Sequence, residues 1–185
     1  MKTFSWILVL SALIAACSST KPLTETEQKE LEAWGTETPF EIISNRAMPM
    51  PTAAFSALAN SGMLSPGNSA SNIDLTTNAN FFKMKGDTIS AKLPYFGERR
   101  FGGNYGSNDI SIRFNGIPTR RNIALNSGKR RLEMRFRISQ EDDNEVYDIL
   151  VLIFPNKTTR IDVTSSERTP ISYNGRIEAL EGVKE

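Results

Sequence analysis

The alternation of apolar and polar residues is cleanest over residues 132–138, where Leu-Glu-Met-Arg-Phe-Arg-Ile changes character at every position. A period of two puts one set of side chains on a dry face and the other on a wet one, so residues 131–139 read as a half-buried strand. Residues 109–114 repeat the pattern, with Ile110, Ile112 and Phe114 on one side. Residues 146–154 are apolar on both faces, as a central strand would be. Gly86-Asp87 separates strand-like residues 80–85 from 88–93, and Ser127-Gly128-Lys129 separates 121–126 from 131–139, which predicts two hairpins. Residues 159–164 follow the Pro155-Asn156 turn, and 171–177 close the series.

The earlier part of the chain is less regular. Thr24 and Glu27 have the spacing of a capping box, which predicts a short helix over 25–34 with Gly35 just past its end. Leu31 and Trp34 share one face of it, so it should dock only loosely. Residues 40–47 read as the first strand. Residues 48–72 are rich in Pro, Ser, Ala, Asn and Gly and read as a long loop with at most one helical turn. Loops of that length in a compact domain are functional or poorly ordered. The elements together predict a mainly β fold of seven to nine antiparallel strands. They would form a meander in a strongly curved sheet or partly open barrel, with one short N-terminal helix.

The first residues belong to a different pattern. Lys2 precedes an apolar run over residues 4–16, about 20 Å as a helix and too short for a hydrocarbon core of about 30 Å. It reads as an export leader, not a membrane span. Its end, Leu13-Ile14-Ala15-Ala16-Cys17, looks like the lipobox of bacterial lipoproteins. The expected organisation is a signal peptide over 1–16, an acylated Cys17 with a polar tether over 17–24, and one β domain over 25–180. Two acyl chains on Cys17 give stable anchoring, so the membrane is an expected partner through that residue.

Composition narrows the chemistry. The chain has no His, and its single Cys is Cys17. Ser-His-Asp and Cys-His nucleophiles and zinc sites built on N or S ligands are therefore excluded, and no cofactor, metal or catalytic residue is expected. With 22 Lys and Arg against 21 Asp and Glu, nothing suggests a nucleic-acid partner. The Gly102, Gly103 and Gly106 cluster lacks the ending of a phosphate-cradling loop. The acidic run over 141–145 lies between strong strands and reads as a solvated hairpin tip.

Residues 93–97, Leu-Pro-Tyr-Phe-Gly, and 171–177, Ile-Ser-Tyr-Asn-Gly-Arg-Ile, carry a resemblance. With the lipobox, the polar helical lead and the opening over 40–49, they resemble a family of Bacteroidetes envelope lipoproteins built on a domain of unknown function. The resemblance covers residues 25–178 and implies a location and a fold, but no reaction. In that phylum an acidic run after the acylated Cys is similar to a surface-export signal. Ser18-Ser19-Thr20-Lys21 lacks one, which implies the periplasmic face of the outer membrane. Asp87-Thr88-Ile89 resembles the phylum's O-glycosylation motif and makes Thr88 a candidate acceptor.

Candidate contacts to a ligand or partner are Tyr95, Phe96, Arg99, Arg100 and Tyr173. Residues 93–100 leave a strand at Pro94, which cannot donate to a ladder. They are open to two readings: a lip over a cavity with Tyr95 and the arginines meeting an anion, or a strand-end corner whose aromatics plug the barrel. Arg120, Arg121, Arg130, Arg131, Arg135 and Arg137 form either a basic strip toward lipid head groups, acidic glycans or a partner, or a solvated face. The expected function is a lipid-anchored, non-enzymatic envelope protein binding an apolar or amphipathic ligand or a partner protein. The alternative is a hydrolase or isomerase acting on envelope glycans through carboxylates alone.

Overall fold

The computed structural model describes residues 21–100, 111–139 and 145–180. Its elements are α1 (Glu25–Thr36), β1 (Phe40–Pro49), α2 (Ala53–Asn60), β2 (Ile73–Asp74), β3 (Phe81–Lys85), β4 (Thr88–Leu93) and β5 (Ile112–Gly116). There follow β6 (Arg120–Asn126), a 3-10 turn (Ser127–Lys129), β7 (Arg131–Ser139), β8 (Val146–Ile153), β9 (Thr158–Ser165) and β10 (Ile171–Ala179). Nine strands form one antiparallel sheet in the order β5-β4-β3-β1-β10-β9-β8-β7-β6, and β2 pairs with β1 off that path. The sheet curls into a half-barrel, as the strand periodicity predicts. It consists of two meanders, β3–β5 and β6–β10, which β1 joins by pairing with both β3 and β10.

Alternation decides which side chains fill the curl. Phe82 and Met84 on β3, Leu132, Met134, Phe136 and Ile138 on β7, and Tyr147, Ile149 and Val151 on β8 are buried inward. The rings run as a chain, Trp34–Phe40–Phe82–Phe114–Tyr147, with centroids 5.9–6.4 Å apart. Phe136 meets Phe82 at 6.2 Å across the curl. Edge and offset contacts of this kind add about 0.5–1.5 kcal/mol each beyond area burial. These rings, with the Leu, Ile, Val and Met side chains around them, form one continuous buried cluster on the concave side.

The capping box forms as expected. The Glu27 amide donates to Thr24 Oγ1 at 3.3 Å, and the Thr24 amide donates to the Glu27 carboxylate at 2.9 Å. Two expectations for α1 are corrected. It does not dock loosely, because Leu31 is fully buried. Gly35 lies inside the helix, not beyond it, and faces the sheet, where an added Cβ would stand 3.0 Å from Ile123 Cγ2. Close packing, not a left-handed cap, explains this glycine. The segment after β1 is also more ordered than a loop with one helical turn: α2 spans eight residues, capped by Thr52 and anchored by buried Phe55.

β1 is longer than β3, and its exposed flank is covered in three steps. β3 pairs with Phe40 to Ile42. The Asn80 side chain then accepts from the Ser44 amide at 2.9 Å and donates to the Ser44 carbonyl at 2.8 Å. β2 pairs with Arg46 and Ala47 beyond it. Between Ser44 and Arg46 the register with β10 shifts by a bulge, directly opposite Gly175. A Cβ at Gly175 would strike the Ile43 carbonyl oxygen and stand 2.8 Å from Ser44 Cα, so the bulge requires glycine there. Gly175→Ala should lower stability by about 1–3 kcal/mol, the range for overpacked cores, without changing the far-UV circular dichroism of the folded protein. Urea denaturation checks this through a reduced midpoint at unchanged slope.

Candidate functional site

The end of the half-barrel opposite α1 gathers the end of β4, the loop into β10, the starts of β8 and β10, and α2. Leu93 is the last inward residue of β4, and the chain then turns at Pro94. Tyr95 points inward and is buried, with its hydroxyl 2.8 Å from Thr169 Oγ1 and 3.0 Å from the Glu98 carbonyl. Tyr173 is also buried and donates to the Pro94 carbonyl at 2.7 Å. Gly97 has φ +151°, and a Cβ there would lie 2.6 Å from both Thr169 Oγ1 and the Tyr95 hydroxyl. The segment is thus a corner whose Tyr95 plugs the barrel.

A buried charge cluster holds that corner against the loop before β10. Glu145 is fully buried and receives the Arg168 guanidinium, itself 3 % exposed, through Nη2 at 2.9 Å and Nε at 3.0 Å. Ser165 Oγ also donates to Glu145. Arg99 reaches Glu145 at 3.5 Å and Glu167 at 2.6 Å, and pairs with Arg168 through the backbone. The Arg168 guanidinium also lies 5.1 Å from the Tyr95 ring centre. Every charge in the cluster has an opposite partner, as burial requires. Glu145, the last residue of the acidic run, is therefore not part of a solvated tip; the four residues before it lie outside the described residues.

Phe96 points the other way. It lines an outer groove of about 440 Å³ with Met63, Leu64, Pro66, Ile73 and Asp74. The segment between β1 and β3 supplies one wall, and local hydrogen bonds shape it. Asp74 accepts from the Thr76 amide at 2.7 Å and its hydroxyl at 2.5 Å, and these bonds hold its carboxyl below the usual range. Asn68 accepts from the Asp74 amide at 2.8 Å. Thr52 donates to Glu98 at 2.5 Å and so ties α2 to the corner. Met63 is 73 % exposed, and Met50 and Leu58 nearby in the chain are exposed apolar residues too. An open hollow that sets Met63, Leu64 and Phe96 among Ser65, Asn68, Asp74, Thr76, Thr77 and Asn78 offers both apolar contact and hydrogen-bonding groups, as a binding surface does.

The five candidate contacts therefore divide. Tyr95 and Tyr173 are interior, Arg99 belongs to the charge cluster, and Phe96 faces the groove. Arg100 has an exposed side chain, and its amide donates to the Glu167 carbonyl at 2.6 Å. Thr88 is exposed at the start of β4, beside Asp87, which is ion-paired with Arg121. Cys17 lies outside the described residues. Sequence reasoning passed over Glu145, Arg168 and the groove wall, since nothing in a polar loop or a Ser- and Pro-rich stretch marks which residue turns inward.

A family pattern described as a domain of unknown function, DUF4251, matches residues 23–177, from just before the capping box to the inward Ile177 of β10. The chain belongs to this family. No curated protein and no solved structure matches it. The match spans α1, the whole sheet and both walls of the groove, so the site lies inside this DUF4251 domain and not in an appendage to it.

Two outcomes follow from this geometry. Glu145→Ala strands the buried Arg168 and should cost about 3–5 kcal/mol, while the double variant Glu145→Leu with Arg168→Met should cost less than that single change. Denaturant titration of the variants checks both. Burial pushes the phenols of Tyr95, Tyr147 and Tyr173 above their ordinary value near 10. For Tyr147 the Glu145 carboxylate adds to the rise and the Arg168 charge opposes it. A raised folded-state value gives stability that is complete below pH 10 and lost as pH rises past it toward the folded values. Of four tyrosines, three should resist ionisation in ultraviolet titration until alkaline unfolding releases them together.

Proposed function

We propose that this domain is a non-catalytic binding module of the bacterial envelope, anchored by acyl chains on Cys17 at the periplasmic face of the outer membrane. It meets a partner protein through the Phe96 groove. The observation that carries this reading is an open hollow of mixed polar and apolar lining, with exposed Met63 and the Phe96 ring in its walls, at the end of the barrel remote from α1. Residues 21–24 lead into α1, so the link to Cys17 leaves the domain at the α1 end. The groove then faces away from the bilayer, toward what passes in the periplasm. The continuous buried cluster inside the curl favours a surface partner over an apolar ligand carried within.

The alternative, a carboxylate-only hydrolase or isomerase on envelope glycans, needs two carboxylates about 5–10 Å apart that face a substrate. The Glu145 oxygens are engaged by Arg168, Arg99 and Ser165 inside the protein, an arrangement suited to holding a corner, not to moving protons. That favours the binding reading.

Two measurements in the native host test it. Fatty-acid labelling should appear in the wild-type protein and be lost in Cys17→Ala. A photo-crosslinking residue at Met63 should give one discrete adduct that Phe96→Asp abolishes, while the same residue at Lys157, at the α1 end, should give none. Labelling that persists in Cys17→Ala would refute the anchor. Adducts that ignore Phe96→Asp would refute the groove.

A further inference from the structure

The outward side of β6, β7 and β8 carries arginines used neither by the core nor by the charge cluster. Register sets Arg120 directly opposite Arg137, and Asn122 directly opposite Arg135. Arg137 stands opposite Asp148 on the next strand. Met134, Phe136 and Ile138 are buried inward, so alternation turns Arg135 and Arg137 outward. With Asn122 and Asp148 these side chains wall a shallow trough of about 570 Å³. Arg121, between Arg120 and Asn122, also borders the trough, but its charge is paired with Asp87.

The trough has more positive charge than its own carboxylate can balance. Arg137 meets Asp148 only at 3.8 Å, with the two side chains 42 % and 59 % exposed. Arg135 meets Glu133 at 3.3 Å, but Arg131 holds that same carboxylate at 2.8 Å. The Arg120 side chain makes no ion pair or hydrogen bond among the described residues. Like charges directly opposed on a sheet are destabilising, and the fold gains nothing from Arg120 facing Arg137. A charge on an edge strand can guard against unwanted strand pairing. Guarding needs one cation on β6; it does not need two more on β7 aimed at the same hollow.

We propose that this trough is a binding site for a phosphate monoester group. Guanidinium forks fit a tetrahedral oxyanion through paired N–H donors, and their weak hydration lowers the cost of the contact. The Asn122 amide adds a neutral donor. Arg120, Arg135 and Arg137 against Asp148 leave a surplus of two positive charges, which matches a phosphate carrying close to two negative ones near neutral pH. The group can belong to a lipid head group or to a water-soluble phosphate ester. The site is separate from the Phe96 groove and does not rest on it.

The test uses the full-length protein in a neutral detergent, titrated calorimetrically with inorganic phosphate at ionic strength held constant with KCl. Saturable binding is expected, weakened at least tenfold in Arg120→Gln and in Arg137→Gln and unchanged in Arg100→Gln. Removing one of two opposed cations should leave the melting temperature of Arg120→Gln equal to or above that of the wild type, so binding and stability move apart. Phosphatidic acid added to the micelles identifies the source. If it displaces phosphate, the site takes a lipid head group; if it does not, the site takes a soluble phosphate. Absence of saturable phosphate binding and of arginine-dependent phosphatidic acid binding would overturn the proposal. So would a melting temperature in Arg120→Gln several degrees below the wild type, since the charge would then serve the fold.

Discussion

The pairing of the first strand with the last governs everything else in this domain. β1 and β10 run antiparallel from Phe40 opposite Ala179 to Pro49 opposite Ile171, and β3 joins through the other flank of β1. Without that seam the chain would hold two separate meanders, and neither could cover its own apolar face. The seam joins residues far apart in sequence, yet the entropy of closing a loop grows only logarithmically with its length. Its thermodynamic cost is therefore modest, and its main consequence is kinetic, because such non-local contacts form late and slowly. Register must also be right, since a slip of one residue would turn Phe40 and Ile42 out to solvent. The bulge beside Asn45, the bare backbone of Gly175 and the Asn80 side chain together admit one alignment.

The two ends of the curl are closed by different physics. At one, α1 lays Leu31 and Gly35 on the sheet, an apolar closure tied down by Arg130 to Glu27 at 2.9 Å. At the other, closure is polar: Tyr95, Tyr147, Tyr173, Glu145 and Arg168. A buried ion pair adds little net stability over apolar residues of equal size, but it penalises any arrangement that separates it. Its role here is to choose one path for the corner. That choice reaches the surface. Adjacent residues of an extended chain point to opposite sides, so holding Tyr95 inside commits Phe96 to the outside. The half-buried Phe96 ring at the groove is thus a consequence of the buried hydroxyl beside it.

The parts of this design that were legible in the sequence are those governed by local periodicity. Residues 132–138 declared their inward set, Gly86-Asp87 declared its turn, and Thr24 with Glu27 declared a helix start, because each depends on neighbours within a few positions. Gly35 misled because a glycine near a helix end usually serves as a left-handed cap, whereas here the helix continues past it and approaches the sheet. α2 was underestimated because Ala, Ser and Asn are weak signals, and its formation depends on Phe55 finding the core. Glu145 was misplaced for a sharper reason. Nothing local tells an acidic residue at a strand start whether an arginine 23 positions away will come to meet it.

A filled interior also constrains what the surfaces can do. Proteins transmit binding energy between sites through elements that have two discrete arrangements. The concave side here is filled by one continuous buried apolar cluster, so the Phe96 groove and the arginine trough should behave as independent surfaces on one frame. The segment between β1 and β3 is different. It rests on the frame through the short β2, the buried side chains of Phe55, Ile73 and Leu75, and the Thr52–Glu98 bond, with no long strand pairing of its own. If the domain adjusts to a partner, the adjustment lies there, in the wall that carries Met63, and the Phe96 wall stays where Tyr95 holds it.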